Sequence, residues 1–151
     1  VENMVDTIES ELNKKKYNGK KIVFRIHESG DFYNIEYTQK WIDIAKHFED
    51  DERITFLAYT KSIVYFINLG YGFNFFPNNL VIRSSRWSDT KPDKIELTKL
   101  YCIPIYTALT APEMDLEQKN GRIFTKCNCE DCANCGYCWN KDHREIIVKI
   151  H

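Results

Sequence analysis

The chain has 151 residues, 43% hydrophobic and 14% aromatic, a composition that suits a folded protein with a real core and excludes a disordered one. Its 21 Lys and Arg against 22 Asp and Glu leave a formal net charge of −1, so no global basic field draws in nucleic acid or an anionic membrane. No apolar run is long enough to span a bilayer and no charged-then-apolar start marks a secretory signal, which points to a cytoplasmic protein forming a single α/β domain over residues 1–151.

The chain begins with Val1, not Met, which leaves room for a natural start upstream. Val1, Val5, Ile8 and Leu12 recur at helical spacing and predict an amphipathic helix over residues 2–15. Lys14, Lys15 and Lys16 suit its C-terminal end, where the helix dipole favours cations, and Asn18-Gly19 stops it. Ile22 to His27 reads as a strand, with Ile22, Phe24 and Ile26 on one face and Val23, Arg25 and His27 on the other. A polar turn, Glu28-Ser29-Gly30-Asp31, follows. Tyr37, Trp41, Ile44, Ala45 and Phe48 then form the apolar stripe of a helix, with Asn34 as its N-cap.

The pattern repeats. Ile54 to Thr60 is a second strand ending in Lys61-Ser62, and Ile63 to Leu69 a short helix stopped by Gly70 and Gly72. After an aromatic loop, Leu80 to Ser85 is a third strand. Strands alternating with helices predict a parallel sheet, whose ligands bind at the C-terminal strand ends. Those ends carry His27, Ser29, Asp31, Lys61, Ser62, Ser84, Ser85 and Arg86. Residues 88–99 read as a polar loop, and Leu100 to Ala108 as a strand-like segment holding Cys102, with Pro104 arguing for an edge or an interruption. Thr110-Ala111-Pro112-Glu113 fits a capping box opening a short helix that ends at Asn120-Gly121. Arg122 to Lys126 and Glu145 to Ile150 are the last strand candidates. The expected fold is an incomplete (β/α) barrel, or an open and mostly parallel sheet, with a Cys-rich metal-binding segment at residues 127–139.

That segment carries the strongest chemical signal. Five of the six cysteines lie between Cys127 and Cys138, in the pattern C-x-C-x-x-C-x-x-C-x-x-C. Neighbours this close make poor disulfide staples, because they close tiny loops. Four thiolates can instead surround one metal ion or cluster. Two overlapping triplets, Cys129, Cys132, Cys135 and Cys132, Cys135, Cys138, have the C-x-x-C-x-x-C spacing that holds three corners of a 4Fe–4S cluster. Cys102 is available as a remote fourth ligand. The bacterial ferredoxin run ends in Cys-Pro, whereas Cys138 is followed by Trp139. Zinc on four of the six thiolates is the alternative, and so is a site that only staples the tail to the sheet. Glu130 and Asp131 inside the run argue against a nucleic-acid knuckle.

The second constellation is Arg25 to Asp31. His27 could serve as an acid or base near neutral pH and Asp31 as a base or a ligand-binding carboxylate. Ser29, Gly30, Lys61, Ser84 and Arg86 would then bind a small-molecule ligand. The plain alternative is an Arg25–Asp31 ion pair beside a satisfied histidine. Arg83, mid-strand among apolar neighbours, needs a partner if buried, with Asp31, Glu28 or a bound anion as candidates.

Arg25-Ile26-His27-Glu28-Ser29-Gly30-Asp31-Phe32-Tyr33, Trp41-Ile42, Ala58-Tyr59-Thr60-Lys61-Ser62 and Cys132-x-x-Cys135-x-x-Cys138-Trp139 resemble the phage gene-product-88-like family. The resemblance covers the chain from about residue 20 onward. Longer members look similar to radical S-adenosylmethionine enzymes, a partial (β/α) barrel preceded by its own N-terminal cysteine motif. It implies that Ser29-Gly30-Asp31 lies near a cofactor. The N-terminal motif does not occur in this sequence, so the chain is expected to be the C-terminal part of a radical- or redox-type enzyme whose partner is a missing N-terminal domain, or a relative without that first cluster. A zinc-stapled, non-catalytic interaction module of phage origin is the alternative.

Overall fold

The computed structural model describes residues 1–72, 75–87, 89–127 and 135–149. Six strands form one sheet in the order β1-β2-β3-β4-β6-β5: β1 (Ile22–Arg25), β2 (Ile54–Thr60), β3 (Leu80–Arg86), β4 (Ile105–Leu109), β5 (Thr125–Cys127) and β6 (Glu145–Lys149). All five pairings are parallel. The first four strands lie side by side in sequence order, the winding of a β/α barrel and not of a doubly wound sheet. β6 then inserts between β4 and β5.

Among the described residues, helices α1 (Glu2–Leu12), α2 (Ile35–His47), α3 (Ile63–Asn68), α4 (Pro92–Leu100) and α5 (Ala111–Lys119) connect or precede the strands. Their apolar residues pack on one face. Val5, Ile8 and Leu12 of α1, Trp41, Ile42, Ile44 and Ala45 of α2 and Ile63 and Phe66 of α3 share a core with Ile54, Phe56, Ala58, Leu80 and Ile82 of the strands. Further along, Met114 of α5 packs with Leu109 and Ile147. Each of these large side chains, once buried, contributes about 1.5–3 kcal/mol. Phe56 contacts Phe24 and Phe48 at centroid distances of 5.6 and 5.9 Å, and Trp41 joins through Phe24.

Period-two alternation sends the remaining strand residues to the opposite, inner face. Val23, Leu57, Tyr59, Val81, Tyr106, Ile146 and Cys127 meet there, packed with Cys138 and Trp139 of the tail. Lys21, Val23 and Arg25 at one sheet edge and Cys127 at the other line the same hollow. Strands five places apart can share one hollow only if the sheet curls, so the fold is an open, curled half-barrel.

Several elements differ from the sequence expectation. The first helix stops at Leu12 and a separate 3₁₀ turn takes Lys15–Tyr17. α4 occupies residues read as a loop; it opens with Pro92 and Asp93 in its first turn but carries almost no apolar stripe, its buried residue being Thr98. Cys102 is not in a strand: it follows α4 in a turn at φ 52° and is exposed. Pro104 interrupts nothing. β4 starts one residue later, runs inside the sheet between β3 and β6, and the Pro104 carbonyl accepts the Ser84 N–H at 2.8 Å. β5 is only three residues long and ends on Cys127. The Thr110–Glu113 capping box and the Asn34 cap, which accepts the Tyr37 N–H at 2.7 Å, form as expected. No helix among the described residues is long and apolar enough to cross a membrane.

Candidate functional site

Arg83 organises the inner face. β3 alternation points it away from the helices, where it is fully buried. Among the described residues no carboxylate pairs with it, neither Asp31 nor Glu28. Instead its guanidinium donates to four backbone carbonyls of the tail: Cys138 through Nε, His143 through Nη1 at 2.8 Å, and Tyr137 and Asn140 through Nη2 at 3.1 and 2.9 Å. The planar fork of Arg suits such divergent acceptors, and the carbonyl dipoles supply the negative potential a buried cation needs. Burial lowers the Arg83 pKa, while Cys138 and then Tyr59 pull it up. Tyr59, beside Arg83 on the same face, is pushed well above the ordinary phenol range, first by burial and then by its hydrogen bond to Cys138.

The hollow between the inner face and the tail has a volume of about 460 Å³. Three thiols line it, Cys127 from the end of β5 and Cys135 and Cys138 from the tail. Its other walls include Val23, Leu57, Tyr59 and Trp139, with Lys21 and Arg25 as its two cations. The Arg25 guanidinium sits 5.2 Å from the centre of the Tyr59 ring and does not pair with Asp31. Gly136 turns the tail at φ 72°, a conformation that costs glycine little.

Of the other predicted ligands, Cys129 and Cys132 lie outside the described residues. Cys102 is not brought to the remaining three. It precedes β4 at the N-terminal end of the sheet, whereas Cys127 closes β5 at the C-terminal end, and it lines a different hollow with Phe124, Thr125 and His143. Among the described residues, no three His, Cys, Asp or Glu side chains converge as a metal-holding group. The donors that are described still suit a soft metal centre in kind: three thiols on one hollow, with a phenol and a guanidinium to support one of them.

The His27–Asp31 turn is built differently. Asp31 accepts the Phe32 N–H at 2.7 Å and the Thr60 hydroxyl on one oxygen, and the Lys61 N–H at 2.8 Å on the other. It ties the loop after β1 to the end of β2. His27 lies beyond the strand end, folded toward the helices, with Nε2 2.9 Å from the Tyr37 hydroxyl and its ring edge-on to Phe32. Its Nδ1 is buried and has no hydrogen-bond partner among the described residues. Burial lowers its pKa, against a smaller upward pull from Asp31. Ser29 is exposed, and Gly30 turns at φ 86° with open space where a Cβ would be. Ser84 is buried on the helix face, 3.2 Å from the Thr98 hydroxyl. The Lys61 ammonium rests 5.6 Å from the Trp87 ring, and Arg86 ends β3 half-buried. These residues form no single site with the thiols.

Tyr59, Lys21 and Trp139 are the wall residues that sequence reasoning passed over. The parity of β1 and β2 was the available signal, since it puts Val23, Arg25, Leu57 and Tyr59 on one face. No curated protein and no solved structure matches the chain. A family model described as gene product 88 matches residues 1–141, which takes in the half-barrel strands β1 to β5, the Arg83 clamp up to Asn140 and the whole cysteine run, and the chain therefore belongs to the gene product 88 family.

Proposed function

We propose that this chain is a thiolate-based metal-centre domain of a radical- or redox-type enzyme, in which thiolates of the Cys127–Cys138 run hold a 4Fe–4S cluster against the inner face of the half-barrel and a small ligand occupies the hollow beside it. One observation carries the reading: Cys127, Cys135 and Cys138, delivered by two separate segments, all line one ligand-sized hollow. Barrel-type sheets place their chemistry on this side, and Cys127 closes a strand at its C-terminal end.

A cluster would add redox chemistry at that wall. Cys138 would be held for it by Arg83, which bonds its backbone carbonyl, and by Tyr59, which bonds its side chain. The rival is a zinc staple in a non-catalytic module. Arg83 weighs against it, because four charge-assisted bonds already fasten the tail to β3. A tail secured this way has little need of a metal for folding.

The test is anaerobic purification, followed by incubation with ferrous iron and sulfide, metal analysis and a visible spectrum. The expected protein is brown, with about four irons and four sulfides per chain, as a 4Fe–4S cluster requires. The double variant Cys135→Ser, Cys138→Ser should lose the colour and stay folded. A colourless protein with about one tightly held zinc would overturn the cluster in favour of the staple. A protein that takes up neither metal would overturn both.

A further inference from the structure

The hollow has a polarity that its thiols do not explain. Lys21 and Arg25 line it, no Asp or Glu does among the described residues, and its remaining wall is largely apolar or aromatic. Strand parity puts Arg25 on the face of Val23, and Lys21, just before β1, lines the same hollow. The two cations are four residues apart, roughly 13 Å at about 3.3 Å per residue, so one small anion cannot bridge them. Arg25 is the better placed. Its guanidinium is exposed, makes no salt bridge among the described residues and is supported by the Tyr59 ring at 5.2 Å. A stacked guanidinium keeps its N–H fork free for a planar oxyanion.

From this arrangement, we infer that the ligand of the hollow is an organic oxyanion with a flat apolar body, its acid group gripped by Arg25 and its body laid against Leu57, Val23 and Trp139. The inference rests on reading the hollow as the ligand site, but not on whether the thiols carry a metal. Arg83 does not compete for the acid group, since all its donors but one are committed to tail carbonyls. Lys21 lies at the far end of the hollow, where it adds long-range attraction without direct grip.

Naphthalene-2-carboxylate and its neutral carboxamide serve as matched probes. Each is titrated into metal-free and iron–sulfide-treated protein, and binding is read from the Trp139 indole N–H resonance, assigned with Trp139→Phe. The carboxylate should bind at least tenfold more tightly than the amide. Arg25→Gln should remove that preference, Lys21→Gln should weaken it about twofold, and neither should change metal content. Naphthyl phosphate run alongside reports whether the grip extends to tetrahedral oxyanions. Equal affinity for acid and amide would overturn the inference, and so would a preference that survives in Arg25→Gln. A loss of iron in Arg25→Gln with an intact acid preference would assign Arg25 to neutralising the thiolates instead. If the protein takes up no metal but still discriminates the acid, the metal reading fails and this one stands.

Discussion

The turn from His27 to Asp31 and the hollow under the tail hold similar chemistry and use it in opposite ways. In the turn, every oxygen of Asp31 has a donor from the loop or from β2, and His27 is wedged between Phe32 and Tyr37. In the hollow, three thiols and two cations face about 460 Å³ of open space. Density of polar side chains in the sequence therefore does not mark the site; side chains left facing a hollow do. The turn's groups are consumed in holding β1 to the end of β2, and under the tail Arg83 is consumed in the same way, by four tail carbonyls.

The largest effect should come from breaking that one group. Arg83→Met keeps the stem and removes the fork, leaving the buried carbonyl of Cys138 and the part-buried ones of Tyr137, Asn140 and His143 without their donor. Hydrogen bonds to a charged group contribute about 1.5–3 kcal/mol each and are not additive, so a loss of at least ~3 kcal/mol is expected in urea unfolding. Iron uptake should fall with it, because Cys135 and Cys138 ride on the freed segment. Full stability in this variant would mean that the tail is held by something other than Arg83, and the contrast between the two regions would lose its anchor.

Asp31→Ala comes next. It strips the acceptors from the Phe32 and Lys61 amides and the Thr60 hydroxyl, an expected cost of about 1–3 kcal/mol. Iron content and probe binding in the hollow should stay at wild-type levels, with Asp31→Asn recovering part of the stability by restoring one acceptor. A variant that is stable but no longer binds the probe would move Asp31 into the site and collapse the distinction between turn and hollow.

What the sequence made legible follows from the range of each interaction. Local periodicity revealed α2, β2 and β3, and short-range caps at Asn34 and Thr110 were visible because donor and acceptor lie three residues apart. α4 escaped because tertiary contact, not an apolar stripe, holds it: its buried Thr98 meets Ser84 of β3. The partners of Arg83 could not be read at all. They are backbone carbonyls 54 to 60 residues away, and a carbonyl has no letter in the sequence. The insertion of β6 between β4 and β5 is likewise a choice of packing with no local signature. Cys102 misled for the reverse reason, since its apolar neighbours suggest a strand where the backbone makes a turn at positive φ.

The smallest effect tests His27. Its folded pKa lies below the ordinary value of 6.5, mainly through burial, with the Asp31 charge opposing. The unfolded chain therefore takes up this proton first as the pH falls, so stability is full above about 6.5 and declines as the pH drops toward the folded pKa. Unfolding midpoints from pH 8 down to 5 should show that decline, and His27→Phe should remove a part of it; the difference isolates His27 from the other three histidines. The effect is small because the ring is only partly shielded and Asp31 offsets some of the burial. The opposite sign, stability rising toward acid in wild type but not in the variant, would mean that protonated His27 is held by Asp31. An imidazolium–carboxylate couple of that kind is what acid–base work needs, and it would return the turn to the chemistry from which its hydrogen bonds now exclude it.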